Sequence, residues 1–518
     1  MKRHNTIKVV LITLLVFMLL SWILPAAYFS GSYADQGRVQ MGLFDLFSYP
    51  TTAISYFGYI AVFILVVGGF YGILNTIPAY RTLLDNTSKK FQKHGKLVIS
   101  IIMILLAVIT SICGLQLGLI IFFPFLVSLI LLMGYDKIVA ALTLVGSTMI
   151  GVAGSLFAYG NTSVILSTLS LKITSNWGAK LIILLLGLAL LIVNTILYIN
   201  SLDKKKKSVK ASTKKESTKK ESTKKESTKK EDTKKNSTTK KSTKTTTKTA
   251  EKTEPVKVVK TKSDIDYYVP SEVKGKHKVW PLVVAFSVIF IIMILAFISW
   301  SNAFKISAME DATSAVTGFK VFGFALFGKL LGNVNAFGSW TLNDLSLVMI
   351  ITAAFLMIVY KIKFNDGLQA FITGAKRALE PACLVILIYT CLVTVTYHPF
   401  QLTIYKFLFG FTKGFNVFTS SIAAILASVF NADPLYAFQS VLPYLASLVS
   451  KKSTYAVIGV VYQAMYGVTM LVAPTSVVLM TVLSYLGISY KEWWKNIWKL
   501  VLELFILMLI IFTILALI

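Results

Sequence analysis

The chain has 518 residues, 55% of them hydrophobic, a mean hydropathy of +0.71, only 14% charged side chains and yet a formal net charge of +29. A soluble globular chain of this size leaves too much surface outside to hide so much apolar material. A uniformly basic nucleic-acid binder needs far more charge, so both classes are excluded.

A helix that crosses a bilayer needs about 20 mostly apolar residues. In the first part of the chain such segments lie at 8–28, 56–77, 97–133, 138–166 and 178–200. The first begins after Lys2-Arg3 and ends at Pro25-Ala-Ala27, as a signal peptide does. Many further apolar segments follow, so it is expected to remain as an uncleaved first span. Residues 201–279 then hold 26 lysines, no arginine and 11 acidic residues, and the other 439 residues carry +14. Within this stretch the unit Lys214-Lys-Glu-Ser-Thr218 repeats, and almost nothing apolar occurs before Val256. Such a segment cannot bury enough apolar area to offset its ordering entropy, which predicts a disordered linker. Two uses suit it, a solvated spacer or a polybasic arm on an anionic membrane surface. No aromatic residue interleaves the lysines before Tyr267, so nucleic acid is not an expected partner.

Apolar segments resume at 280–300, 344–361, 380–397, 415–449, 455–484 and 498–518. Two segments, 97–133 and 415–449, are long and broken in the middle, at Cys113-Gly-Leu-Gln116 and Asn431-Ala-Asp-Pro434. These are helix stop and restart signals. Each segment predicts a helical hairpin that enters the membrane and leaves on the same side. The domains expected are therefore a first transmembrane repeat at 1–200, the linker at 201–279 and a second repeat at 280–518.

Positive residues set orientation. With the N-terminus (Lys2, Arg3, Lys8) in the cytoplasm, the 81–96 loop, the lysine-rich linker and the clusters at Lys361 to Arg377 and Lys491 to Lys499 all fall inside. Lys451 and Lys452 fall outside, and the C-terminus ends outside. The expected location is the cell membrane, with many passes. Cys113, Cys383 and Cys391 all lie in apolar stretches, and three cysteines give no disulfide framework or zinc spacing.

The two halves align around their breaks. Phe123-Pro-Phe-Leu-Val-Ser-Leu-Ile130 is similar to Leu442-Pro-Tyr-Leu-Ala-Ser-Leu-Val449, and Asn161-Thr-Ser-Val-Ile-Leu166 to Pro474-Thr-Ser-Val-Val-Leu479. The second half has one extra span before its hairpin, so the repeats are expected to be inverted. Inverted repeats with discontinuous helices are the signature of a secondary transporter. Broken backbone inside a membrane is tolerated only where it is buried in protein or lines a cavity. The fold class expected is an all-α integral membrane protein of two inverted repeats with re-entrant hairpins and unwound helices.

Four broken elements are expected to converge near the midplane. They are the first tip (Thr110, Ser111, Cys113, Gly114, Gln116), a first unwound helix (Gly151 to Ser163), the second tip (Ser428, Asn431, Asp433) and a second unwound helix (Tyr466 to Ser476). Half-helices starting near Thr162 and Thr475 would offer free N–H groups to an anion. Substrate-binding candidates are Asn161, Thr162, Ser163, Asn431, Thr475 and Ser476. Ion-coupling candidates are Asp433, Gly160, Asn161, Thr469 and Pro474, with Na+ or H+ as the ion and no organic cofactor. Asp433 stands out because a carboxylate at membrane depth is functional by default. Small polar residues also serve plain interhelical packing, and Asp433 also suits a helix cap. Glu380 suits a helix start, His398 the end of a span, and Glu503 receives no role from the sequence.

The motifs Ser21-Trp-Ile-Leu-Pro25, Val67-Gly-Gly-Phe70, Leu132-Met-Gly-Tyr-Asp136, Ala473-Pro-Thr475 and Ile488-Ser-Tyr-Lys-Glu-Trp493 stand in that order. In this the chain resembles the YfcC-like, anaerobic C4-dicarboxylate carrier and arginine–ornithine antiporter-like family of the ion transporter superfamily. The resemblance covers most of both halves and none of the linker. It implies an elevator-type carrier of anionic or amino-acid substrates, and a homodimer. Residue by residue it points to Asn161, Thr162, Asn431, Asp433, Pro474 and Thr475. The chain departs from the family pattern at both tips, with Gly114-Leu-Gln-Leu-Gly118 where paired acids are common and Ser428-Val-Phe-Asn-Ala-Asp433 where Ser and Gly prevail.

The function expected is ion-coupled or exchanging secondary transport of a small organic anion (dicarboxylate or short-chain carboxylate) or amino acid. The partners are that small molecule and the lipid bilayer. No Walker-type loop, HExxH, GxSxG or paired-aspartate pattern appears, so no enzyme is expected. The rival is a non-transporting membrane scaffold or sensor that acts through its polybasic linker.

Overall fold

A computed structural model describes residues 5–225, 267–272, 275, 277–332, 334–412 and 414–518. Apart from two short antiparallel strand pairs, Ala27–Phe29 with Tyr33–Asp35 and Lys320–Val321 with Phe324–Ala325, the regular structure is helical. Among the described residues eight helices are long and apolar enough to cross a membrane: Asn5–Ile23, Asp45–Leu74, Pro78–Cys113, Trp177–Lys204, Trp280–Phe297, Leu342–Val359, Leu379–Tyr397 and Tyr490–Leu517. Gly118–Leu132, Lys137–Ala153, Val417–Phe430 and Val477–Leu486 are apolar but shorter. At about 1.5 Å per residue they fall short of the roughly 30 Å hydrocarbon core, and they belong to the broken elements.

The first helical hairpin runs up Gly95–Cys113, turns at Gly114 in the left-handed region (φ 72°), passes a 3-10 turn at Gly118–Phe122 and returns as Phe123–Leu132. Only glycine enters that turn without strain. The second hairpin pairs Val417–Phe430 with Pro434–Leu448. Asn431 and Asp433 are extended between its arms, and Pro434 opens the return arm. The first broken helix is Lys137–Ala153, with a π turn at Leu142–Gly146, and it restarts as Tyr159–Thr168. The second is Thr454–Met470, restarting as Val477–Leu486.

Two expectations need correction. The first helix does not unwind from Gly151 to Ser163; its gap is confined to residues 154–158, and the restart begins at Tyr159 rather than near Thr162. Gly151 and Gly154 serve close approach. A Cβ on Gly151 would lie 2.5 Å from the Ala107 carbonyl oxygen, and one on Gly154 would lie 2.6 Å from Leu184 Cβ. The stretch 201–279 is not wholly irregular, because the helix from Trp177 continues to Lys225; lysine and glutamate are good helix formers. Its far end is docked. Ser128 Oγ donates to the Tyr268 carbonyl at 2.7 Å, Tyr268 Oη donates to the Tyr485 carbonyl at 3.1 Å, and Val269 is buried. Tyr268 and Val269 are apolar enough to seat there. The rest of the expected linker, residues 226–266, 273–274 and 276, lies outside the described residues. Met1–Thr195 and Tyr268–Ile518, which hold both expected repeats, cluster into one compact unit.

The apolar segments in the sequence did not announce three amphipathic helices, Pro78–Phe91, Phe364–Arg377 and Gln401–Thr412. The second of these packs closely on Asp45–Leu74 where small residues face each other, with the Phe371 ring seated against Gly69. A Cβ on Gly72 would lie 2.2 Å from the Ala370 carbonyl oxygen, and one on Gly374 would lie 2.2 Å from that of Gly68. This is the small-xxx-small contact of membrane helices. Gly72→Leu is expected to cost about 3 kcal/mol or more by overpacking, read as a lower thermal midpoint and a reduced monodisperse peak in detergent. A midpoint equal to wild type would refute the packing role. Glu503 also gains an account: Asn194 Nδ2 donates to Glu503 Oε2 at 2.7 Å, which ties two membrane helices.

Candidate functional site

The four broken elements meet at one cavity of about 190 Å³. The first tip contributes Gly114 to Gly118, and the restart of the first broken helix contributes Gly160 and Asn161. The second tip contributes Ala432 to Leu435, and the second restart Ser476 to Val478. Met149, Met470, Tyr389 and Tyr466 complete much of the wall. The volume suits a small metabolite; drug-sized sites run to about 300–1,000 Å³.

Unwound backbone in a membrane must find partners within the protein, and here side chains supply them. Ser111 Oγ donates to the Gly154 carbonyl at 2.7 Å, while the Ser111 carbonyl accepts from Leu156 N at 2.9 Å and Phe157 N at 3.1 Å. Gln463 Nε2 donates to the Ser155 carbonyl at 2.9 Å and the Ala153 carbonyl at 3.3 Å. In the second half, Thr475 Oγ1 donates to the Val429 carbonyl at 2.8 Å and Trp493 Nε1 to the Leu471 carbonyl at 2.9 Å. Tyr490 Oη donates to the Val472 carbonyl. Each gap is thus stitched to its own hairpin, and Gln463 joins the halves. Gln463→Leu strands two carbonyls, and an unpaired buried polar group costs about 1–3 kcal/mol. A lower thermal midpoint than wild type is expected, and an unchanged one would show that Gln463 is dispensable.

A family model for DcuC, the C4-dicarboxylate anaerobic carrier, matches residues 4–518. The chain belongs to the DcuC family. No curated protein matches it in sequence. Among solved structures it is similar to the YdaH transporter of Alcanivorax borkumensis, at 11% identity over 98% of each chain and a TM-score of 0.37. The resemblance carried by Ser21 to Pro25 and the later motifs therefore led to the right family, and the protein is a multi-pass membrane transporter.

Of the substrate-binding and ion-coupling candidates, this DcuC-family carrier brings Gly160, Asn161, Asp433 and Ser476 to the cavity wall. Asn161 Nδ2 reaches the Gly114 carbonyl at 3.3 Å and joins the restart to the first tip. Ser476 caps the second restart, accepting from Leu479 N at 3.4 Å. The others stand behind the wall. Thr162 Oγ1 donates to the Ala158 carbonyl at 3.0 Å, and Ser163 is half-buried in the same helix. Asn431 Nδ2 donates to Gln401 Oε1 at 3.1 Å and the Ala427 carbonyl at 2.9 Å. The Thr475 hydroxyl is spent on Val429, and Pro474 lies in the gap without lining the cavity. The buried Thr469 hydroxyl makes no hydrogen bond among the described residues.

Asp433 is the N-cap of Pro434–Leu448, and its Oδ1 accepts from Leu435 N at 2.8 Å. It is half-buried, lines the cavity and forms no ion pair among the described residues. Asp433 is thus a helix cap whose residue also lines the cavity. Four phenols, Tyr59, Tyr389, Tyr436 and Tyr466, lie close enough to interact with it electrostatically. Tyr466 Oη donates to the Ala432 carbonyl at 3.0 Å, and the Tyr389 ring stacks on Phe57 with centroids 4.1 Å apart. Sequence reasoning had placed Tyr466 at an unwound edge. It had no signal for Tyr389, which sits inside an unbroken span. His398 bonds Tyr49 Oη at 2.7 Å and the Val39 carbonyl at 2.7 Å, away from the cavity.

Proposed function

We propose that this transporter is a secondary carrier that moves a small organic anion (dicarboxylate or short-chain carboxylate) or an amino acid, coupled to an ion gradient or to exchange, by an elevator motion of the hairpins and broken helices. The observation that carries the reading is the single cavity closed by all four broken elements. The matched sequences support an inverted repeat: Phe123 to Ile130 and Leu442 to Val449 both fall in return arms of hairpins, and Asn161 to Leu166 and Pro474 to Leu479 both fall at helix restarts. Substrate contacts are assigned to Asn161 and Ser476 at the wall, with Thr162, Ser163, Asn431 and Thr475 holding the wall in shape. Asp433 supplies the negative charge that a bound cation requires. Thr469, whose hydroxyl is left over, Gly160, Asn161 and Pro474 are assigned to a Na+ or H+ coupling site. The cytoplasmic N-terminus and linker, the outside C-terminus and a homodimer belong to the same proposal.

The test is uptake of a labelled panel of carboxylates and amino acids into proteoliposomes, with imposed sodium and proton gradients. Accumulation of at least one compound is expected, and no gradient- or exchange-driven movement of any compound would end the carrier reading. Deleting residues 208–262 separates the rival class. A carrier retains uptake within about twofold, whereas a scaffold acting through its linker shows no uptake in either form.

A further inference from the structure

We infer that Tyr268, Val269 and Pro270, where the lysine-rich stretch ends, form a latch that holds the broken elements in the arrangement seen here and must let go before they move. This rests on the reading of the hairpins and broken helices as the moving part of a carrier, and adds a control point to it. The segment is gripped from four elements. Ser128 Oγ, on the return arm Phe123–Leu132, donates to the Tyr268 carbonyl at 2.7 Å. Lys137 Nζ, at the start of the first broken helix, lies 5.1 Å from the centroid of the Tyr268 ring, within reach of a cation–π attraction. Tyr268 Oη donates at 3.1 Å to the carbonyl of Tyr485, near the end of Val477–Leu486, and the two rings meet edge to face at 5.5 Å. Three broken elements thus share one tyrosine.

The fourth grip comes from another kind of element. Arg81 belongs to the amphipathic helix Pro78–Phe91, which is none of the broken elements. Its guanidinium donates to the Pro270 carbonyl and lies 3.7 Å from the Glu272 carboxylate. Asp85, one turn on, accepts from Arg81 Nε at 2.9 Å and steadies its aim. Tyr80, beside Arg81, meets Tyr71 of the span Asp45–Leu74 edge to face at 6.2 Å, which ties this end of the helix to an unbroken span. Tyr268 and Pro270 are two residues apart, and two residues fully extended reach at most about 7 Å. A larger displacement of the broken elements past Arg81 therefore strips one set of grips. Either loss is opposed. Letting go of the broken elements uncovers Tyr268 and Val269, 8% and 3% exposed as they stand, and gives up their burial. Letting go of Arg81 deprives a mostly buried guanidinium of an acceptor. Contacts made in one arrangement and lost in another bias the equilibrium between the two by their difference.

The test reads the distance between two spin labels by pulsed electron–electron resonance, in the full-length protein reconstituted into lipid vesicles. The native Cys113, Cys383 and Cys391 are replaced. The labels sit at exposed positions on a broken element and on an unbroken span, Ser167→Cys in Tyr159–Thr168 and Asn343→Cys in Leu342–Val359. The expected result is one dominant separation with the latch intact, and growth of a second population by at least threefold in both Arg81→Gln and Tyr268→Ala. An unchanged distribution in either folded variant would overturn the latch. So would a lower thermal midpoint with no second population, which marks the segment as a plain structural seat. Arg81→Gln leaves Tyr268 and Val269 themselves intact, so it decides the matter if Tyr268→Ala does not fold. Because distances are read without transport, two separations in a protein that moves no compound would refute the carrier reading and leave the latch standing. Uptake together with one unchanged separation in both variants would do the reverse.

Discussion

Asp433→Asn is expected to abolish gradient-driven uptake, at least tenfold in initial rate, while expression, monodispersity and thermal midpoint stay close to wild type. Two roles of Asp433 separate cleanly in this substitution. Asparagine is as good an N-cap as aspartate, so its carbonyl can take over the bond from Leu435 N and preserve the start of Pro434–Leu448. What it removes is the negative charge, the one carboxylate among the described residues lining the cavity. Tenfold corresponds to about 1.4 kcal/mol, below the roughly 1.5–3 kcal/mol of a hydrogen bond to a charged group. Initial rates in proteoliposomes under matched sodium and proton gradients decide it. Normal uptake with unchanged ion dependence would reduce Asp433 to a cap.

Gly467→Leu is expected to dismantle the site itself. A Cβ at Gly467 would lie 2.5 Å from Ala153 N and 2.6 Å from the Met149 carbonyl oxygen. Both are backbone atoms of the first broken helix and cannot swing aside. Gly151 on that same helix presses in turn on Ala107 of the first hairpin. The contacts form a series from the second broken helix to the first and on to the first tip, so spreading one crossing moves the cavity wall. Overpacking of this kind costs about 1–3 kcal/mol where side chains can adjust, and more is expected where they cannot. Gly467→Ala should show a smaller fall in thermal midpoint, and Gly467→Leu a larger one, with no uptake from whatever protein remains folded. Wild-type midpoint and uptake in Gly467→Leu would mean that the broken helices are free to separate.

The sequence by itself determined the membrane class, the main spans, the presence of four breaks though not their bounds, and the family. Each of these is a local property. Apolar run length can be measured against the bilayer, and Gly114, Pro434 and Pro474 interrupt helices through their own backbone chemistry. Amphipathic helices such as Phe364–Arg377 escaped the same test because their burial depends on a partner, here Gly68 and Gly72, hundreds of residues away. The wall of the site was the least legible part. Asn431 and Asp433 are two residues apart on one tip, yet Asn431 turns inward to Gln401 while Asp433 lines the cavity. Thr475 and Ser476 are adjacent, and only the second lines it. Tyr389 lines the same cavity from a span with no break at all. Sequence fixes where a backbone must be interrupted, because that is written in glycine, proline and length. Which side chains then face the gap is decided by crossings between distant helices, and only the packed tertiary structure holds that information.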